Sequence, residues 1–283
     1  MAVTLYVEPN THASAQANAW RTSNPAGAAL LDKIALRAQA LWLGEWSGDV
    51  RSVVDNAVTI AGTQRRVFVA YYIPQRDGTA WSAGGAPDTT SYWKFIAAIA
   101  RGLRGRKAIV ILEPDAICHT DFMSPEELDK RLRLLAAATD TLMAAGASGY
   151  IDAGDSDWIP SAVVAERLLR AGVKNATGFA LNVSHTEPTA NEIAYADKLR
   201  AIVGLQAKYI IDTSRNARKD PEWCNPPTAG LGKPPTLVTS ISGCDGFLWV
   251  KRPGESDGQC NKNHPDAGKW WLEGALELAR RSV

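Results

Sequence analysis

The chain has 283 residues, of which 46% are apolar and 22% charged, with Lys+Arg 31 against Asp+Glu 30 and a formal net charge of +1. This length buries a full core, and the mix excludes a disordered chain, a coiled coil and a collagen-like fibre. The near-neutral balance argues against a dedicated nucleic-acid partner, and no apolar run approaches the roughly 20 residues of a membrane span.

The N-terminus, MAVTLYVEPN, has neither a basic n-region nor an apolar h-region, which leaves a cytoplasmic chain or one whose signal peptide has been removed. A first short β-rich run is Leu5–Val7. Helical spacing follows over Leu30–Ala40, then runs at Leu41–Leu43 and Val67–Ile73. Tyr92–Leu103 reads as a helix and Ala108–Leu112 as a strand. Glu126–Ala145 is again helical, and Ser124-Pro125-Glu126-Glu127 marks its start with an N-cap, a first-turn Pro and a capping-box Glu. The pattern continues as strand Tyr150–Asp152, helix Ala162–Leu169, strand Phe179–Val183, helix Glu192–Val203, strands Tyr209–Ile211 and Phe247–Lys251, and helix Gly268–Arg280. Such alternation without a repeat or linker predicts an α/β fold around a parallel sheet. The unit count suggests a single-domain, TIM-like barrel over residues 1–283, with a doubly wound sheet as the alternative.

Polar residues gather where the runs end. Arg76 and Asp77 follow one, Glu113-Pro114-Asp115 another, and Asp152, Asn182 and Ser184 close two more. Asp212, Ser214 and Arg215, then Lys251, Glu255 and Asp257, follow the last two. In a parallel barrel these positions share one rim, the face on which βα loops build active sites. Read singly they are caps or turn formers, and Arg76-Asp77 is a local ion pair. The chemistry available to the set is narrow. There is no Gly-x-Ser-x-Gly elbow, no phosphate loop and no metal-ligand spacing among His12, His119, His185 and His264, so no metal or other cofactor is expected. Asp152-x-x-Asp155-x-Asp157 misses the calcium-loop pattern, Arg101–Lys107 reads as a solvated helix end, Ser82–Asp88 as a mobile loop, and His264 as a solvated loop residue. Carboxylates together with ten Trp suit glycoside hydrolysis, in which one acid protonates the leaving oxygen and a second carboxylate activates water or attacks the sugar. Indole faces supply the stacking platforms.

The ordered motifs YYIPQRD (71–77), ILEPDA (111–116), YIDAG (150–154), IDTSRN (211–216), EWC (222–224) and LWVKRPGESDG (248–258) resemble glycoside hydrolase family 6, the cellulases that include endoglucanases and cellobiohydrolases. The resemblance runs from about residue 5 to the C-terminus. It implies a distorted barrel of seven parallel strands, with Leu5–Val7 outside it, and inverting hydrolysis of β-1,4-glucan such as cellulose and cello-oligosaccharides. Asp115 falls on the family's catalytic acid, and Asp77 on the carboxylate that tunes it and is tied to proton transfer. Tyr71 and Arg76 fall on neighbours shaping the −1 subsite, Ser82 on a loop serine linked to a water chain, and Asp257 on the candidate base. Trp42, Trp158 and Trp223 match sugar-stacking positions, while Asn182, Lys251 and Glu255 match polar sugar contacts. An inverting pair implies carboxylates roughly 6.5–9.5 Å apart.

The resemblance also implies a disulfide between Cys224 and Cys260, and hence secretion. The family's other disulfide is replaced by Gly78 and about Phe122, leaving Cys118 and Cys244 unpaired. Asp155 stands where a His is common. Where the family's cellobiohydrolases roof the cleft with long loops, the segments Gln259–Ala267 and from Trp223 to Phe247 are short here, so the resemblance implies an open cleft and an endoglucanase, with a cellobiohydrolase as the alternative. Two readings from other classes are a non-catalytic glucan-binding barrel and a cytoplasmic α/β enzyme with four free thiols. A monomer is the default, with no carbohydrate-binding module visible in the chain.

Overall fold

The computed structural model describes residues 3–78 and 81–283. Seven parallel strands are hydrogen-bonded in chain order: β1 (Leu41–Leu43), β2 (Val67–Ala70), β3 (Ile109–Leu112), β4 (Ser148–Asp152), β5 (Gly178–Leu181), β6 (Lys208–Asp212) and β7 (Cys244–Leu248). Among the described residues no ladder joins β1 to β7. The sheet curls until Ala40 donates its backbone N–H to the carbonyl of Trp249, and the Trp42 indole Nε1 donates to that of Val250 at 2.8 Å. Leu5 makes only an isolated parallel bridge to Arg65 and lies outside the sheet, as the family resemblance implies.

Period-two alternation builds two cores from one sheet. Val67, Val69, Ile109, Ile111, Tyr150, Ala180 and Ile210 point inward and fill the barrel. Phe68, Ala70, Val110, Leu112, Ile151, Phe179, Leu181 and Tyr209 point outward and meet the helices. The helices are α1 (His12–Trp20), α2 (Pro25–Ala35), α3 (Val50–Ala61), α4 (Thr89–Leu103), α5 (Pro125–Ala144), α6 (Ser161–Arg170), α7 (Thr189–Val203) and α8 (Leu272–Arg280). Helices α1, α2 and α8 form a third cluster around Trp249 that covers the β1–β7 side.

The capping box of α5 forms as expected: the Ser124 hydroxyl accepts from the Glu127 N–H at 3.2 Å, and the Glu127 carboxylate accepts from the Ser124 N–H at 2.8 Å. Helices α1 and α3 were not expected. The apolar stripe of α3 is Val50, Val54 and Val58, β-branched residues of modest helix propensity, and packing on α4 decides the matter. There Gly102 lets the helices approach so closely that a Cβ on it would stand 2.7 Å from Val54 Cβ.

Candidate active site

The carboxyl ends of the strands open into a cleft of about 1030 Å³. The backbone leaves the sheet there in a costly way. Gln75, Asp77, Glu113, Asp115, Asn182 and Ser184, all beyond β2, β3 or β5, have positive φ between 49° and 70°. Non-glycine residues in this region cost on the order of 1 kcal/mol or more, and such strain concentrates at functional sites.

Buried carboxylates hold this bent backbone. One oxygen of Glu113 accepts the N–H groups of Tyr72 and Ile73, both at 2.9 Å. Asp152 accepts the N–H of Asp115 at 2.9 Å and of Gly154 at 3.2 Å. Burial pushes Glu113 up to about 7 and raises Asp152 as well, in each case against those hydrogen bonds. Asp212 accepts four N–H groups: Ser214 and Val250 on one oxygen, Ser184 and Lys251 on the other. This one side chain gathers the ends of β5, β6 and β7.

Asp115 is thereby pinned at the cleft wall. Burial raises its proton affinity well above the ordinary carboxyl range; the charge of Asp152 adds to this, His185 opposes it, and Asp77 and Asp155 raise it further. A carboxyl that keeps its proton is what a general acid requires. Asp77 lines the same cleft, with Oδ1 3.2 Å from His119 Nδ1.

Asp257 has the opposite character. Lys251 Nζ stands 2.6 Å from one oxygen; Arg215 Nη1 and the Asn225 N–H approach the other at 2.5 and 2.8 Å. Burial disfavours its charge, but Arg215 and Lys251 win and hold it far below the usual carboxylate range. The Cys224–Cys260 disulfide clips the same region, joining residues 36 positions apart. Beside it Gly258, at φ 142°, lets Trp81 pack so close that a Cβ would meet Trp81 Cβ at 2.6 Å.

Aromatic residues line the rest of the cleft. Trp42 meets Tyr71 edge-on at 5.1 Å, and the Arg76 guanidinium lies over the Tyr71 ring at 4.4 Å. Arg76 also pairs with Glu45 at 2.7 Å, donates to the Tyr71 carbonyl, and holds the Ser82 carbonyl at 3.0 Å. Trp158 rests against His185 at 5.2 Å. Trp46, Trp81 and Trp223 line the cleft with about half their surface exposed.

The chain matches the family described as "Glycosyl hydrolases family 6" over residues 1–282. It belongs to that family. Among its glycosyl hydrolase family 6 relatives, endoglucanase A of Cellulomonas fimi is 40% identical over 285 residues, covering 98% of this chain. The chain spans 61% of the length of that relative. Endoglucanase 1 of Streptomyces halstedii is 36% identical, with 90% of this chain and 82% of the relative covered. The solved structure of the endoglucanase Cel6 from Mycobacterium tuberculosis, in complex with methyl-cellobiosyl-4-deoxy-4-thio-beta-D-cellobioside, superposes with a TM-score of 0.91 at 37% identity. That match covers 99% of this chain and 97% of the other.

Within this family 6 chain, Tyr71, Arg76, Asp77, Ser82, Asp115, Asp257, Trp42, Trp158, Trp223, Lys251 and Glu255 converge on the cleft. Asn182 does not. It is fully buried, its amide donates to the Asp212 carbonyl at 2.9 Å and its oxygen accepts from the Glu187 N–H, so it braces the rim. Arg76 pairs with Glu45, not with Asp77. Asp152, Asp155 and Asp157 face different partners, Asp115, His185 and Lys219, so their sequence proximity builds no common site. His264 is not a free loop residue: it contacts the Asn225 amide at 3.0 Å and packs on Trp271. Gly78 and Phe122 occupy one spot, the Phe122 ring filling the space of a Gly78 Cβ, and Cys118 and Cys244 are free and buried. Sequence reasoning passed over Glu45, Trp46, Trp81, His119 and His185. A second aromatic count along the strand-end loops was the available signal for the Trp residues. The His residues carried no motif.

Proposed function

We propose that this chain hydrolyses internal β-1,4-glucosidic bonds of cellulose and related glucans with inversion, as an endoglucanase working in an oxidising compartment outside the cell. The observation that carries the reading is Asp115: a carboxyl held in its protonated range at the wall of a tryptophan-lined cleft. In this assignment Asp115 gives its proton to the leaving glycosidic oxygen as the C1–O bond breaks, and water attacks C1 from the opposite face. The relatives named endoglucanases and the thio-oligosaccharide bound to the similar structure support the substrate class.

Asp257 is poorly suited to accept the water's proton, because both its oxygens are engaged by cations and those charges leave it a very weak base. Its charge anchors Lys251 and Arg215 at the cleft. Asp77, with His119 as its contact among the described residues, and the neighbouring Ser82 loop are the better route for that proton. The open cleft is supported by the segment after Asp257. It folds back on itself, Ser256 N–H to the Lys269 carbonyl and Trp271 N–H to that of Gly254, instead of crossing the groove. The disulfide supports export.

The test is viscosity loss measured against reducing ends released from carboxymethyl-cellulose. A steep fall in viscosity with few new ends, abolished by Asp115→Ala, is expected. New ends with little viscosity change would convert the reading to chain-end attack by a cellobiohydrolase. Folded protein that binds glucan and releases no ends would leave a binding barrel.

A further inference from the structure

Asp115 is surrounded by negative groups: Asp152 beneath its own N–H, Asp77 in the same cleft and Asp155 beyond β4. Unopposed, this field would hold the acid's proton too tightly for transfer at working pH, since an effective general acid has a proton affinity matched to that pH. Among the described residues one basic side chain contacts it. His185, on the loop after β5, places Nε2 4.0 Å from Asp115 Oδ1, while its Nδ1 is gripped by Asp155 Oδ2 at 2.8 Å. Trp158 packs on the imidazole and fixes its plane. Arg215, from the β6 loop, also faces His185, but its guanidinium is engaged by Asp257 and the Ser184 carbonyl. Cys118 and Tyr71 complete the titratable surroundings of the acid.

We propose that His185, clamped by Asp155, is a positioning residue for the general acid: its positive charge, held 4.0 Å from Asp115, sets how readily that acid releases its proton. The arrangement sets His185 between two carboxylates across the β4–β5 seam. The burial of His185 disfavours its charge, but the hydrogen bond and charge of Asp155, with Asp115 behind them, hold the imidazole above the ordinary histidine range. The departure of Asp155 from the His expected there thus has a consequence. A carboxylate at 155 makes a charged His185 possible. The inference rests on the reading of Asp115 as the acid.

Opposite charges at this separation move a carboxyl by about one to three pH units. Replacing the cation with a neutral side chain raises the proton affinity of Asp115. In His185→Gln the alkaline limb of kcat/KM on a soluble cello-oligosaccharide therefore moves up by about one pH unit or more. An unmoved limb overturns the proposal, however far kcat falls. A second measurement needs no activity. Coupling is mutual, so in imidazole NMR the pH at which His185 titrates falls on going from the wild type to Asp115→Asn. An unchanged titration overturns the proposal even if His185→Gln does not fold. Protein that cleaves no glucan would sink the functional reading, while the NMR comparison would still decide the coupling.

Discussion

Arg215→Met tests whether the Asp257 cluster is the electrostatic anchor of the rim. Both side chains are buried, with 6% and 8% of their surface exposed. Breaking a buried ion pair from one side costs about 3–5 kcal/mol, because the partner is left as an uncompensated charge. Here Lys251 and the Asn225 N–H stay with Asp257, which places the expected loss near the lower end, about 3 kcal/mol. The unfolding entropy of a chain this long is about 0.6 kcal/mol/K, so Tm at pH 7 falls by about 5 °C. The pH dependence has a definite sign. The depressed Asp257 contributes stability above its unfolded pKa near 3.9, and that contribution is lost as pH falls through its much lower folded value. Without Arg215 the folded value rises, so the gap between wild type and variant narrows below pH 4. Calorimetry at pH 7 and pH 3 measures both effects. A Tm loss under about 1 °C at pH 7, or a gap that is no smaller at pH 3, would refute the anchor.

Two further predictions concern the remainder of the scaffold. Glu192 is wholly buried, one oxygen accepting from the Ser156 N–H at 2.9 Å, and burial raises it to about 8. Its stabilising contribution is complete below the unfolded pKa near 4.3 and is lost as pH rises through about 8. Glu192→Gln should therefore match the wild type near pH 4 and gain by up to about 5 kcal/mol toward alkaline pH; an advantage independent of pH in melting curves would count against this. Reduction of Cys224–Cys260 removes a loop constraint spanning 36 positions, about 4 kcal/mol on chain-entropy grounds. The Tm of Cys224→Ser/Cys260→Ser should drop by about 6 °C, and an unchanged Tm would mean the rim is held without the bond.

What the sequence disclosed depended on whether a local pattern carried the information. The helix α5 was readable from Ser124 and Glu127 because its cap is contiguous. Strand ends were readable only approximately. The apolar runs Val67–Ile73 and Phe247–Lys251 outlast the ladders, which stop at Ala70 and Leu248. Beyond those points the backbone turns to a side chain: Tyr72 and Ile73 to Glu113, Val250 and Lys251 to Asp212. An apolar run does not report that its hydrogen bonds have changed partner. Leu30–Ala40 overshoots in the same way. Helix α2 ends at Ala35, and Gln39 caps back onto the Ile34 carbonyl at 3.1 Å. Helix α8 starts at Leu272, four residues after the expected Gly268, because residues 268–271 pair with the strand-end segment 254–256. Asp77, Asp115 and Asp257 were visible as strand-end carboxylates, but the opposite electrostatic characters of Asp115 and Asp257 come from burial beside Asp152 in one case and from Arg215 and Lys251 in the other, which only the tertiary arrangement brings to them.

Trp42 carries an architectural debt. Its indole N–H spans the gap between the first strand and the chain beyond the last, while its ring faces Tyr71 and walls the cleft. The surface proposed to carry a sugar ring is therefore also the latch of the cylinder. Reshaping that wall meets a constraint unrelated to recognition: a replacement must still donate to the Val250 carbonyl as the Trp42 indole does at 2.8 Å.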